Sequence, residues 1–441
     1  MTSSTRSPSA PLGRPHDIVL FGATGFTGKL VAEYLAAHAP EGLRWALAGR
    51  NHDKLAKVRE EIARASPGAA SLPILVADGQ DEASVGALAK SARVVCTTVG
   101  PYMKYGRTLV AACAENGTHY CDLTGEVPFI RDAIDRHHDR ARETGAKIVP
   151  TCGFDSIPSD LGVLMMVERA RSLGKKLARV RFFAGESRGG VSGGTIASMI
   201  SLMDAAREDK GIRRLLADPY ALDPAPREHR GPSGDHREPV PRAIQHAADG
   251  PDQLGVRWEA DLGMWTGPFV MAAVNTRVVR RSNALTGGSY GPSFAYSEAM
   301  SFGKGPKGLA RATAMSAGLV GFIGSMQAAP LRSALQRFVL PSPGDGPSKE
   351  QRDNGFFVVR LLADTDGEDG AKVRLTGRVE GKADPGYGET AKMLSEAAMC
   401  LALDGDRIAP GGGVLTPATA MGMRLVERLR AAGMVFDADA A

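Results

Sequence analysis

The feature that most constrains the fold of this chain is an apolar run near the N-terminus that ends in three evenly spaced glycines. The run covers residues 17–21, and Gly22, Gly25 and Gly28 follow it before apolar residues return at helical spacing over 30–35. A strand that turns sharply into a helix needs glycine where the backbone bends and where phosphate groups approach the backbone N–H groups. The pattern therefore predicts the phosphate-binding turn of a dinucleotide-binding domain.

Each glycine of this turn has its own expected role. Gly22 makes the turn, Gly25 admits the phosphates, and Gly28 lets the helix pack closely on the sheet with its positive N-terminus facing the anion. The spacing is G-x-x-G-x-x-G rather than the commoner G-x-G-x-x-G, and an ordinary glycine-rich turn is the alternative. The residues that we expect to contact the cofactor in this turn are Gly22, Thr24, Gly25, Phe26, Thr27 and Gly28.

The residues after the second strand indicate which cofactor is bound. The strand predicted over 44–48 is followed by Gly49, Arg50 and Asn51, at the position where NAD-binding domains place a carboxylate for the ribose 2′-hydroxyl. No carboxylate stands there, and the Arg50 guanidinium can bind a 2′-phosphate in a bidentate manner while Asn51 adds a donor. The sequence therefore predicts NADP(H) rather than NAD(H); a solvated loop arginine is the alternative for Arg50.

Further short apolar strands alternate with helices over the first third of the chain. The predicted strands cover 72–77, 93–98, 119–122 and 147–152. Because the carboxyl ends of parallel strands form the ligand crevice of an open sheet, we expect Gly100 to lie close to the cofactor. Asp78 follows its strand either to hydrogen-bond the adenine or to cap the next helix. The alternation predicts the α/β class, with a doubly wound parallel Rossmann sheet.

Composition excludes several classes of protein. The chain has 441 residues, of which 43% are hydrophobic and 23% are charged, so it is a globular chain too long for a single core. The net charge of +5 is small for a chain of this length, and its basic and acidic residues are interspersed, which does not suggest nucleic-acid binding. Its five cysteines include no C-x-x-C pair and predict reduced, buried thiols of a cytoplasmic protein. The histidines lack metal-ligand spacing, so we predict no metal.

We predict two domains and a C-terminal return. Residues 1–14 are rich in Ser and Pro and are expected to form a disordered leader, and 15–155 form the dinucleotide-binding domain. Residues 156–384 form a second, α+β substrate domain, whose segment 218–242 is expected to be a mobile loop. Residues 385–441 contain return helices, the last of them predicted from Thr416 to Ala432. Strands of the second domain are predicted over 178–185, 357–363 and 371–379, and a helix over 195–208.

One apolar segment raises the question of membrane contact. Residues 312–331 are nearly uncharged, but the segment is short and glycine-rich for a membrane span. A buried or interfacial helix fits better, and peripheral contact with a membrane surface is the functional alternative.

Three arginines lie close together on another predicted helix. Arg277 and Arg281 share a face at i,i+4, with Arg280 beside them. They could meet the phosphates of coenzyme A or an acidic carrier protein, but we expect a solvated basic face.

Six motifs are spread over nearly the whole chain after the leader, at 22–28, 48–50, 99–102, 117–126, 152–160 and 385–390. Taken together, they resemble the saccharopine dehydrogenase-like oxidoreductases, and most closely the actinobacterial trans-acting enoyl reductases. It implies a Rossmann domain, an inserted α+β domain, NADP-dependent reduction, and work beside a polyketide synthase on an enoyl thioester during lipid assembly.

The reduction of an enoyl thioester requires a hydride at Cβ, a donor for the enolate oxygen and a proton at Cα. Tyr102 is the first candidate for donor and acid, provided that a neighbour such as Lys104 lowers its pKa; a packed tyrosine is the alternative. Cys152 and Asp155 face the same predicted crevice. Ser156 beside them is expected to cap the next helix, and orientation of that turn is the alternative role for Asp155.

Three functions remain open from the sequence. The first is an NADPH-dependent enoyl reductase whose substrate is held on coenzyme A or on a carrier protein. The second is an imine or ketone reductase of the same fold. The third is a nucleotide-binding, lipid-associated scaffold without turnover. The sequence does not indicate an oligomeric state.

Overall fold

The computed structural model describes residues 13–189, 193–224, 251–327, 346–366 and 372–440. Two seven-stranded sheets organise these residues. The predicted leader before Gly13, the part of the predicted loop from 225 to 242, and residues 328–331 of the apolar segment lie outside the described residues. Arg14 is described, and its guanidinium donates to Thr118 Oγ1 over 2.5 Å.

The first sheet is the predicted Rossmann sheet. Its strand order is 13-6-5-4-1-2-3, and every pairing in it is parallel. Its strands are β1 (His16–Phe21), β2 (Trp45–Gly49), β3 (Ile74–Val76), β4 (Ala92–Thr97), β5 (His119–Cys121), β6 (Lys147–Val149) and β13 (Gly413–Val414). The helices between them are α1 (Phe26–His38), α2 (His52–Ala63), α3 (Glu82–Ser91), α4 (Tyr102–Tyr105), α5 (Arg107–Glu115) and α6 (Val127–Thr144).

Helices cover both faces of this sheet, which explains why its strands are apolar without alternation. Along β1, Ile18 and Leu20 enter one hydrophobic core, whereas Val19 and Phe21 enter another on the opposite face. Successive side chains of a strand point to opposite faces, so a strand buried on both sides must be apolar throughout.

The second sheet is mixed and has the order 14-12-11-7-10-9-8. The pairing of β7 with β10 is parallel, and the other pairings are antiparallel. Its strands are β7 (Lys176–Arg188), β8 (Arg257–Glu259), β9 (Met264–Gly267), β10 (Ala295–Ser301), β11 (Phe356–Asp366), β12 (Arg374–Gly381) and β14 (Val435–Ala440). The accompanying helices are α7 (Ile157–Ser172), α8 (Gly193–Glu208), α9 (Lys210–Ala217), α10 (Ala272–Leu285), α11 (Gly305–Gln327) and α12 (Lys349–Asp353).

The C-terminal return contributes to both sheets. Helix α13 (Gly388–Leu403) lies against α1 and the first sheet, as expected. The prediction of one continuous last helix from Thr416 is wrong. The structure has two helices there, α14 (Pro417–Ala420) and α15 (Gly422–Ala431). Gly422 has a φ of +59°, which interrupts the helix. The strands β13 and β14, which the sequence analysis did not predict, add edge strands to the first and the second sheet.

Helix α11 contains most of the apolar segment, and it is exposed rather than buried. Within the described residues, it is the one helix long and apolar enough to cross a membrane by length and composition, with a mean hydropathy of 1.2. Only 11% of that stretch is buried against the protein. The alternative of a buried core helix is therefore wrong.

The three arginines of α10 are buried, so the expected solvated basic face is wrong. Arg277, Arg280 and Arg281 are each exposed by 4% or less. Their guanidinium groups donate to backbone carbonyls of segments that approach α10 from several directions. Those carbonyls belong to Leu216, Pro219, Leu222, Tyr296 and Val414. A guanidinium group carries five donors in a rigid fork, which suits it to holding several carbonyls at once.

We expect Arg281→Met to lower the free energy of unfolding by about 3 kcal/mol, because the carbonyls of Leu222 and Val414 lose charged donors and stay buried. The control is Arg378→Met, which removes an exposed arginine paired with Glu380 and should change the free energy by less than about 1 kcal/mol. Urea unfolding of both variants measures the difference. Equal effects of the two substitutions would contradict a structural role for Arg281.

Candidate active site

The glycine turn after β1 has the close packing that a phosphate cradle requires. Gly22 has a φ of +96°, and its carbonyl accepts hydrogen bonds from the N–H of Gly25 at 3.0 Å and from Thr98 Oγ1 at 3.2 Å. A Cβ atom on Gly28 would lie 2.1 Å from the Gly22 oxygen, which is far inside van der Waals contact. A side chain at Gly28 would therefore push α1 away from the turn.

The N-terminus of α1 is open to an anion. Its N-cap is Gly25, no side chain caps it in the described structure, and its first turn contains no acidic residue. The first N–H groups of a helix have no partner within the helix, and they carry the positive end of the helix dipole. Thr24 and Thr27 are half-buried beside these N–H groups. The turn can therefore hold a pyrophosphate, as the sequence pattern predicts.

The ring of Phe26, another residue expected to contact the cofactor, packs against the end of the second domain. It lies edge-on to Tyr387, with ring centroids 5.2 Å apart, and the guanidinium carbon of Arg352 lies 5.4 Å from its centre. The backbone of Phe26 remains at the N-terminus of α1. Its ring thus joins the cradle to the return segment.

Arg50 and Asn51 follow β2 at the corner where the ribose of the cofactor is expected. Arg50 is exposed at the end of the strand. Asn51 is the N-cap of α2, and its Oδ1 accepts a hydrogen bond of 2.9 Å from the N–H of Lys54. The helix cap leaves the amide nitrogen of Asn51 as the group that can donate to a ligand.

Asp78 lies at the end of β3, but it is not the cap of the next helix. Its Oδ1 accepts from the N–H of Gln80 at 3.1 Å, whereas Asp81 caps α3 through the N–H groups of Ala83 and Ser84. The capping alternative for Asp78 is therefore wrong. Its half-exposed side chain shapes the turn at the strand end, next to the expected adenine position.

Gly100 stands at the exposed carboxyl end of β4, where a helix of the second domain approaches. A Cβ atom on Gly100 would lie 3.5 Å from Oγ of Ser198 on α8. Near the start of the same helix, Thr195 Oγ1 lies 3.3 Å from the hydroxyl of Tyr387. Helix α8 therefore lies close to the carboxyl end of β4 and to the return segment.

Tyr102 has the environment of a packed tyrosine rather than of an acid. Its hydroxyl donates to the carbonyl of Thr97 at 3.4 Å and accepts from the N–H of Leu123 at 3.3 Å. Burial raises its pKa well above the ordinary value, and the nearby carboxylate of Asp122 raises it further. The expected lowering by Lys104 does not occur, because the ammonium group of Lys104 lies over the ring of Tyr105, 5.1 Å from its centre.

Two buried carboxylates that hold this region together had no role in the sequence analysis. Glu126 accepts hydrogen bonds from the N–H groups of Tyr102 and Met103 at 2.9 and 2.8 Å, and so fixes α4. Asp122 accepts from the hydroxyl of Tyr120 and from the N–H of Thr151. Both residues lie in the motif 117–126. Nothing in the sequence shows that they accept hydrogen bonds from backbone N–H groups, because those groups become their neighbours only in the folded chain.

The turn after β6 is under backbone strain. Thr151 has a φ of 63°, an unusual value for a β-branched residue. The hydrogen bond from its N–H to Asp122 Oδ1, 3.1 Å long, helps to hold this conformation. Strained residues persist where the surrounding structure over-determines them, and they cluster at functional sites.

Cys152, another candidate for catalysis, is fully buried, and its thiol lies 3.3 Å from the carbonyl of Val149. Burial raises the pKa of this thiol well above its ordinary value. Cys152 is therefore an inert packing residue. All five cysteines are buried and unpaired.

Asp155 has a shifted pKa. It lies between β6 and α7, and its carboxylate faces the backbone of Gly125 and Gly153 at neighbouring strand ends. The residue as a whole has intermediate exposure, but protein encloses its carboxyl group, and this burial raises the pKa of Asp155 to about 7. Asp155 can therefore carry a proton near neutral pH.

Ser156 next to it begins α7 without capping it. Its hydroxyl instead donates to Oδ1 of Asn275 at 3.0 Å, and Asn275 donates to Glu298 at 3.0 Å. Ser156 thus occupies the expected N-cap position, but its hydroxyl does not cap the helix; it joins a buried polar network within the second domain. Among the described residues, no group of His, Cys, Asp and Glu has a metal-binding arrangement.

Comparisons with known proteins agree with this geometry. Residues 18–149 match the saccharopine dehydrogenase NADP-binding domain. A Mycobacterium tuberculosis protein with the name trans-acting enoyl reductase is 44% identical over 96% of this chain and 97% of its own length. A trans-acting enoyl reductase of Mycobacterium bovis is 42% identical over 97% of this chain and 98% of its own length.

A solved structure shows the same fold. Saccharopine dehydrogenase (L-glutamate-forming) from Saccharomyces cerevisiae aligns over 96% of this chain and 99% of its own, with a TM-score of 0.50 and 14% identity. The nucleotide-binding domain is therefore an NADP-binding domain, and the protein is an NADP-dependent oxidoreductase. Its near full-length identity to the mycobacterial proteins places the chain in the trans-acting enoyl reductase family of saccharopine dehydrogenase-like oxidoreductases.

Proposed function

We propose that the protein reduces the C=C bond of an α,β-unsaturated acyl thioester, with Asp155 as the proton donor. The observation that carries the chemistry is the position of Asp155 at the strand ends beside Gly125, where burial raises its pKa to about 7. The substrate class is supported by relatives of 42–44% identity that are named trans-acting enoyl reductases. We place the reaction in lipid or polyketide biosynthesis.

The residues of the cradle fit NADPH, which supplies the hydride when it is bound. The uncapped N-terminus of α1 would hold the pyrophosphate, and the missing side chain of Gly28 keeps this helix against the turn. The exposed guanidinium of Arg50 would hold the 2′-phosphate. Gly100 leaves room for the cofactor beside the end of β4.

After hydride addition to Cβ, Cα of the substrate needs a proton, which Asp155 would supply. Its protonated carboxyl group would deliver a proton to Cα, and the carboxylate left behind would regain a proton from solvent before the next turnover. Tyr102 serves the site by packing, because its hydroxyl is already bonded to backbone groups of Thr97, at the end of β4, and of Leu123, after β5.

The partner that we propose is a polyketide synthase that presents the enoyl thioester on its carrier protein. The support is the name of the mycobacterial relatives, since a trans-acting reductase works on a substrate that another protein holds. A thioester of coenzyme A carries the same reacting group and serves as a soluble substitute in the assay.

The purified protein should oxidise NADPH in the presence of trans-2-enoyl thioesters, first with coenzyme A thioesters of increasing chain length and then with carrier-bound ones. NADH is the control cofactor and should give much slower turnover. The loss of absorbance of NADPH measures the rate. Binding of NADPH without oxidation by any of these thioesters would refute the proposal and favour a scaffold, whereas oxidation by an imine or ketone alone would favour the second reductase class.

Arg50→Gln should raise the KM for NADPH by about 10–100-fold, because a charged, bidentate hydrogen bond to the 2′-phosphate is lost, and should leave kcat nearly unchanged. The KM for NADH should not change. Lys57→Gln is the matched control, since Lys57 is an exposed cation on the adjacent helix α2. Equal losses for NADPH and NADH would show that Arg50 acts on the fold rather than on the 2′-phosphate.

Asp155→Asn should lower kcat by roughly 100-fold or more, because the amide keeps the shape of the side chain but gives no proton. The wild-type rate should fall as pH rises through about 7, since the acid form of Asp155 is then lost. Asp155→Asn should not show this fall in rate with pH, whereas Tyr102→Phe should keep it. If Tyr102→Phe lost the pH dependence and Asp155→Asn kept it, the tyrosine would be the proton donor.

A further inference from the structure

Helix α11 leaves a large part of its apolar surface uncovered. The fractional exposures of Leu309, Met315, Val320 and Ile323 are 39%, 45%, 67% and 45%. Exposed positions recur in each turn and take up more than half of the helix circumference, and from 312 to 327 the helix carries no charge. An apolar surface of this extent marks a contact with another molecule or with a membrane.

The charge around α11 is one-sided. Between Glu298 and Asp345 the sequence contains no acidic residue. The basic residues in this interval are Lys304, Lys307, Arg311, Arg332 and Arg337. Their charge equals the formal net charge of the whole chain, +5, so the rest of the protein is formally neutral. Lys304, Lys307 and Arg311 are exposed at the N-terminal end of α11.

We propose that α11 is a membrane-docking helix, which lies in the interface of a phospholipid bilayer with anionic headgroups. Its exposed apolar residues would enter the boundary between headgroups and acyl chains, while Lys304, Lys307 and Arg311 contact the anionic headgroups. The protein would then be a cytoplasmic protein that binds the membrane surface reversibly.

The packing of α11 favours a position in the plane of the membrane over a span across it. Ala312 and Met326, near the two ends of the apolar part, are both buried against the protein. Between them, Ser316 Oγ lies 3.2 Å from where a Cβ on Gly267 of β9 would be. The first half of α11 thus packs against β9, Met326 is buried near its last turn, and the exposed sides between them remain for the lipid.

Lipid also fits this surface better than a folded protein partner does. A flat protein surface covers one side of a helix, whereas acyl chains surround whatever enters them. The exposed residues of α11 lie on several sides and include no acidic group that an anionic surface would repel. The inference goes beyond the proposed reaction and does not depend on it, because the binding needs neither NADPH nor a thioester.

Flotation of the full-length protein with lipid vesicles tests the proposal. The wild type should float with vesicles of phosphatidylcholine that contain one third phosphatidylglycerol, and added salt should weaken the binding. Val320→Glu combined with Ile323→Glu should lower the partition coefficient by about tenfold or more, since two apolar side chains are lost from the interface. Lys304→Gln combined with Lys307→Gln should lower it by about fivefold per lysine, and only on anionic vesicles.

The matched control is Leu173→Glu combined with Leu403→Glu, which places the same charges at leucines exposed by 37% and 44% outside α11. It should float like the wild type. Equal losses in the two glutamate pairs, or a wild type that stays in the lipid-free fraction, would overturn the proposal. A dimer in sedimentation that only Val320→Glu combined with Ile323→Glu dissociates would also overturn it, since α11 would then be an interface between two copies.

Turnover of NADPH with soluble thioesters should be the same in this α11 double variant and in the wild type, which separates this inference from the proposed reaction.

Discussion

The approach of α1 to the Gly22 carbonyl is the constraint on which the nucleotide site depends. With no side chain at Gly28, the helix starts directly behind the turn, and its uncapped N–H groups face the space above the strand ends. The return segment then builds on this position: α13 packs on α1, and Phe26 at the first turn of α1 meets Tyr387. The geometry of a single turn thus fixes both the cofactor site and the contact that joins the return segment to it.

Buried polar groups, rather than apolar packing alone, connect the two sheets. The guanidinium of Arg281 binds carbonyls of Leu222 and of Val414, and the latter belongs to the first sheet. The chain from Ser156 through Asn275 to Glu298 joins the start of α7 to α10 and β10. Hydrogen bonds are directional, so the contact of Arg281 with Val414 sets the orientation of α10 relative to the first sheet more closely than a hydrophobic contact would, and the Ser156 network does the same for α7 and β10.

The sequence predicts local features well and long-range partners poorly. The strand ends, the glycine turn and the NADP preference follow from short motifs, because strand, turn and helix signals are local. The arginines of α10 look like a solvated face because their partners, such as the carbonyl of Val414, are distant in sequence. For the same reason, burial changed the order of the candidate acids: nothing near Tyr102 or Asp155 in the sequence shows that burial raises the pKa of the first well above its ordinary value and that of the second only to about 7.

The two strands of the C-terminal return have a consequence for synthesis of the chain. Strand β13 covers the edge of the first sheet beside β6, and β14 covers the edge of the second sheet beside β12. Both strands follow the other strands of their sheets in the sequence, so each sheet keeps an open edge until its edge strand has been synthesised. Open edges pair readily with other chains. A nascent chain that lacks β13 and β14 is therefore more prone to aggregate than the folded protein.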